Sequence, residues 1–167
     1  VAPSRGLGDV YKRQASLLSL QVPFLPVHLL FINLVTDSLP AIAIGMERST
    51  KDILKEKPRN PSVGILTPAT MKQLGIQGIL IAVVTMSAYF LGLKESWAIA
   101  TTMAFSTLCL SRLFHGFNCR SQRSLYRIGL FTNKYSILAF VIGFCFLNAI
   151  LLWQPLHSLF SVTTITM

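Results

Sequence analysis

Residues 31–41, Phe-Ile-Asn-Leu-Val-Thr-Asp-Ser-Leu-Pro-Ala, place a carboxylate inside a stretch otherwise fit to cross a membrane. Asp37 is the one charged residue between about Pro23 and Met46. A charge at that depth costs at least about 2.5–3.5 kcal/mol on insertion scales, so an intramembrane acid marks function by default. Asn33 precedes it by four residues, on roughly the same helical face and about 6 Å away along the axis. Pro40 follows three residues later and lacks a backbone donor, so the helix should kink or open beside the acid. Backbone opened at membrane depth survives only inside protein or along a wet cavity. The Asp37 carboxylate, the Asn33 amide oxygen, the adjacent Thr36 hydroxyl and the freed carbonyls are hard oxygen donors suited to a metal cation. They cannot complete six or more ligands alone, so other helices must supply the rest. The competing reading is an acid satisfied by interhelical hydrogen bonds, and the proline beside it weighs against that.

Arg112 is the second residue with chemical consequence, because it lies deep in another apolar stretch. An arginine there must pair, snorkel or face water. Two roles are open to it. It is an internal counter-charge to Asp37 or another acid, limiting how many cations bind, or it reaches for the nearby cytoplasmic end.

The elements that must position these residues follow from composition. Of 167 residues, 52% are hydrophobic and 13% charged, and the mean hydropathy is +0.58. That balance is too apolar for an ordinary soluble domain and predicts an all-α, polytopic membrane bundle. Four stretches reach spanning length, at roughly 23–46, 69–93, 97–118 and 135–153. The net charge of +9 raises the question of nucleic acid, but its placement answers otherwise. Arg48, Lys51, Lys55, Lys57 and Arg59 follow the first span, and Arg120, Arg123, Arg127 and Lys134 follow the third. Lys94 alone marks the connection between the second and third spans. This positive-inside asymmetry puts loops 47–68 and 119–134 in the cytoplasm, and no nucleic-acid partner is expected. Cys109, Cys119 and Cys145 lack C-x-x-C spacing, and His28, His115 and His157 make no zinc pattern.

Along the chain, Asp9-Val-Tyr-Lys-Arg-Gln14 resembles a translated transposon end of the kind used in sequencing libraries. Residues 1–14 are therefore expected to be a non-native leader, with a short basic cytoplasmic leader as the alternative. Residues 15–22 read as the end of a preceding helix, and residues 15–167 as one transmembrane domain. Thr67-Pro68 reads as N-cap and first position of the second span, and Ser96 as cap of the third. Gly75, Gly78, Ala82 and Ser87 suggest close helix packing, and Gln73 and Gln77 interhelical hydrogen bonds. Trp97 and Trp153 fit an aromatic belt, and Asn148 a packing hydrogen bond.

Asn33-Leu-Val-Thr-Asp37-Ser-Leu-Pro-Ala41, followed by Gly45-Met-Glu47 and Lys57-Pro-Arg59, resembles the sixth membrane helix of calcium-transporting P-type ATPases. Ala104-Phe-Ser-Thr-Leu, Arg112-Leu-Phe-His115 and Asn118 resemble their eighth. The resemblance covers about residues 20–160 and makes the four spans helices six to nine. It implies that Asn33 and Asp37 ligate calcium as transported ion and that Thr36 contributes to a site. The remaining ligands are implied to come from the fourth and fifth helices, which are absent here. Two departures stand out. Ser38 takes the place of a common glycine and stiffens the turn. Arg112 takes the place of a glutamate ligand of the two-calcium pumps, which implies one calcium per cycle.

The chain contains no Asp-Lys-Thr-Gly-Thr phosphorylation motif. ATP and magnesium are therefore expected only in an intact parent, bound outside this region, and the fragment alone should be inactive. The resemblance implies a bacterial plasma membrane, with the lipid bilayer and the N-terminal part of the same pump as partners. A secondary cation transporter is the first rival, and would need a second interrupted span. A non-catalytic membrane subunit is the other.

Overall fold

The computed structural model describes residues 24–47, 67–119 and 133–163. Among them the chain is entirely helical. The first span, Pro26–Gly45, is not one continuous α-helix. It runs as α1 (Pro26–Phe31), a π-helical turn (Ile32–Asp37) and α2 (Ser38–Gly45). Pro40 supplies the reason for the break. It has no N–H for the ladder, and its ring crowds the carbonyl four residues back, that of Thr36. The helix widens there instead of ending.

Three uninterrupted spans follow, α3 (Pro68–Gly92), α4 (Trp97–Asn118) and α5 (Lys134–Leu152), then a short α6 (Gln154–Phe160). All four spans are long and apolar enough to cross a membrane. Their starts are set by side-chain caps. Thr67 Oγ1 accepts from Thr70 N–H at 3.3 Å ahead of Pro68, and Ser96 Oγ accepts from Ile99 N–H at 3.2 Å. Both caps match the sequence reading.

α4 is the centre of the bundle. Its inner stripe of Ala100, Thr101, Ala104, Phe105, Cys109 and Leu113 is buried. Against it lie Phe31 and Ile32 of the first span and Leu147 and Ile150 of α5. α3 forms a tight hairpin with α4, and α2 lies mainly along α5. The hairpin depends on Gly92, where a Cβ would stand 2.5 Å from Ala100 Cα.

The small residues expected to pack α3 do not do so among the described residues. Cβ atoms at Gly75 and Gly78 would meet nothing within 4 Å, and Gln73 is exposed. The close approaches fall instead at Gly92, at Gly116 against Pro40, and at Gly143 against Leu113. Asn148 donates to Phe144 O at 2.8 Å on its own helix. All three cysteines are free, with Cys109 buried. Residues 1–23, and loop residues 48–66 and 120–132, lie outside the described residues, so the leader and most of both basic loops do too.

Candidate functional site

The first span is anchored at both ends and open in its middle. At its N-terminal end His28 is fully buried and stacked on Phe105, with centroids 4.5 Å apart. Leu25 N–H donates to His28 Nδ1 at 3.2 Å. That nitrogen must then be unprotonated, so Nε2 carries the hydrogen and donates to Phe160 O at 2.6 Å. A neutral imidazole thereby caps α1 and ties it to α6. Toward its C-terminal end, Pro40 presses on Gly116 of α4, where a Cβ would come within 2.9 Å of the proline ring.

Between these anchors the π turn sorts the predicted site residues. Thr36 faces the core at 2% exposure, and its hydroxyl donates back to Ile32 O at 2.7 Å. Asn33 is exposed and Asp37 half-buried. Ser38 Oγ donates to Asn33 O at 2.8 Å, across the widened turn. Asn33 and Asp37 thus lie on the open side of the span, while Thr36 offers its oxygen from the packed side.

Asp37 meets Arg112. One guanidinium nitrogen of Arg112 contacts both carboxylate oxygens of Asp37. The two side chains are 39% and 40% exposed, so neither charge is sealed off. The contact is the one that a counter-charge to Asp37 would make. Arg112 also borders a cavity of about 370 Å³ lined in part by Phe24, Thr85, Tyr89 and Leu108. The Thr85 hydroxyl is buried without a hydrogen-bond partner among the described residues.

Chemically, this is one carboxylate neutralised by one guanidinium beside an opened backbone. π turns within α-helices occur frequently at functional sites. No group of three or more His, Cys, Asp or Glu capable of holding a metal occurs among the described residues. Any metal bound here would rely on amide, hydroxyl and carbonyl oxygens around a single acid.

Sequence reasoning missed Asn133. It is 5% exposed and joins the end of the first span to the start of α5 through four hydrogen bonds. Its position just before Lys134 was a readable N-cap signal.

The chain matches known proteins over this same region. The family described as "Cation transporting ATPase, C-terminus" matches residues 21–167. A calcium-transporting ATPase of Bacillus subtilis is 37% identical over 155 residues, covering 91% of this chain and 17% of that protein. One from Listeria monocytogenes is 42% identical over 123 residues, covering 73% and 14%. One from Bacillus cereus is 33% identical over 172 residues, covering 92% and 19%. The chain therefore spans less than a fifth of the length of these relatives. It belongs to the cation-transporting ATPase family, whose C-terminal membrane region it carries.

Proposed function

We propose that this chain is the C-terminal transport region of a calcium-translocating P-type ATPase, with Asp37 and Asn33 supplying part of its intramembrane ion site. The observation that carries the reading is the π-helical opening at Ile32–Asp37. It widens the helix, sets the Ile32 and Asn33 carbonyls against side-chain hydroxyls, and presents a carboxylate within a span. Thr36 contributes to the same site once its hydroxyl leaves the Ile32 carbonyl. Calcium is the transported substrate. ATP and magnesium act on soluble domains of the parent, and the remaining oxygen ligands come from its preceding helices.

Arg112 gives the site a resting partner. While no ion is bound, the guanidinium neutralises Asp37 and limits the cost of an intramembrane charge. Calcium competes for the same carboxylate, and the guanidinium yields. With one acid and a resident cation, the arrangement suits a single calcium per cycle. The setting is a bacterial plasma membrane with loops 47–68 and 119–134 cytoplasmic, and loop 47–68 couples the site to phosphorylation.

A secondary transporter draws no support from the spans. Among the described residues α3, α4 and α5 are unbroken, so the second interrupted helix is not found there. The test is Asp37→Asn in a full-length pump carrying this region. Calcium-dependent phosphorylation from ATP should be abolished, and normal phosphorylation would remove Asp37 from the site.

A further inference from the structure

Asn133 performs two jobs with one amide. Its Oδ1 accepts from Tyr135 N–H at 2.9 Å and Ser136 N–H at 3.2 Å, capping α5. Both of those partners are donors, so the oxygen must face α5 and the NH₂ must face away. The NH₂ reaches Ala43 O at 3.0 Å and Glu47 Oε2 at 2.7 Å. Ala43 is only 3% exposed, and its carbonyl belongs to the last turn of α2, where acceptors lack intrahelical partners. The side chain therefore closes the start of one helix and the end of another. It also brings the negative end of α2 to the positive end of α5, a favourable pairing of helix dipoles.

The joint lies close to the ion site in the mechanical sense. Ala43 follows Asp37 by six residues, about 9 Å of helix. Pro40, between them, is held against Gly116 of α4. A helix gripped at Pro40, Ala43 and Glu47 cannot slide without moving α4 and α5. We infer that Asn133 is a positioning residue, a clasp that fixes the height of Asp37 and passes movement of the Glu47 end of the span into α5. The clasp stands on its own geometry, and its effect on ion binding rests on the reading of Asp37 as a calcium ligand.

The test uses three variants. Asn133→Asp keeps the cap acceptor, loses the donor and sets a carboxylate against Glu47. Asn133→Ser caps without charge but cannot span to Ala43, and it guards against misfolding of the first variant. Asn133→Asp with Glu47→Gln returns an N–H donor to the joint from the other side. In the 167-residue chain in lipid nanodiscs, hydrogen exchange across 38–47 should quicken at least tenfold in both single variants. The double variant should recover most of that protection. Wild-type exchange in the single variants would overturn the clasp. In a full-length pump carrying this region, Asn133→Asp should raise the calcium concentration for half-maximal phosphorylation about tenfold. The rate at saturating calcium should stay within about twofold, and the double variant should recover affinity. A fall in maximal rate with unchanged affinity would overturn the positioning role and leave a structural anchor. A pump with no calcium-dependent phosphorylation even with Asn133 intact would overturn the ion reading and the positioning role together, while the exchange comparison still decides the clasp.

Discussion

The first span and α3 are both apolar helices of spanning length, yet one is broken and gripped while the other is regular and largely bare. α3 carries Gly75 and Gly78 near its middle and remains α-helical throughout. The first span carries Pro40 and widens into a π turn. Glycine weakens a helix through backbone entropy but keeps its N–H, whereas proline removes a donor and forces a carbonyl aside. The exposures differ in the same sense. Ile79, Leu80 and Val83 of α3 are 67%, 62% and 59% exposed, a surface for lipid or for other helices. In the first span His28, Phe31, Ile32, Thr36 and Ala43 are buried, while Leu30, Asn33, Leu34, Ala41 and Ile42 are exposed. Apolarity makes a span. A proline three residues after an acid opens one.

The largest expected effect comes from making the first span resemble α3. Pro40→Ala restores the missing donor and relieves the Thr36 carbonyl, so the π turn should close into α-helix. Stability of the span against unfolding in mixed micelles should rise by about 2 kcal/mol, somewhat below the full cost of an interior proline because the ring carbons that face Gly116 beyond Cβ are lost. In the full-length pump the same change should lower calcium affinity at least tenfold. An unchanged affinity would show that the opening is incidental to the ion.

Glycine substitutions sharpen the contrast from the other direction. At Gly92 a new Cβ would meet Ala100 Cα at 2.5 Å and Ala100 N at 2.8 Å. Backbone cannot step aside, so Gly92→Ala should cost about 1–3 kcal/mol by overpacking. Gly143→Ala meets the tip of Leu113 instead, at 2.6 Å. That side chain can rotate, and the cost should be about 1 kcal/mol. Gly78→Ala meets nothing and should be neutral or stabilising by up to about 1 kcal/mol through helix propensity. Unfolding midpoints of the three variants measure the series. A large loss at Gly78 would mean that α3 is covered on the face that is bare here.

These positions also divide what could be read from the sequence from what could not. The caps at Thr67 and Ser96, the span limits and the break beside Asp37 were legible because each depends on neighbouring residues. Arg112 was half legible. Its depth demanded a partner or a path to water, but only the fold shows position 112 against position 37. Gly75 and Gly78 meet no partner among the described residues, because small residues permit close approach without naming a partner. Gly116 and Gly143 had the same composition signal and do sit at contacts. Asn133 was hidden for a related reason. Its cap is local, whereas its bonds to Ala43 and Glu47 cross 90 and 86 residues of sequence.

The smallest effect expected concerns the turn itself. Ser38 Oγ donates to Asn33 O at 2.8 Å, a partly solvated bond whose loss in Ser38→Ala should cost about 0.5 kcal/mol. The direction on ion binding is opposite. A carbonyl already accepting a hydroxyl proton is a poorer ligand, and removing the hydroxyl frees an oxygen beside Asn33 and Asp37. Ser38→Ala in the full-length pump should therefore lower stability slightly while raising calcium affinity about twofold, equivalent to ~0.4 kcal/mol. Calcium titration of phosphorylation beside an unfolding midpoint separates the two quantities. A loss of affinity would instead mean that the hydroxyl holds the widened turn in its binding shape, and that the serine is part of the site.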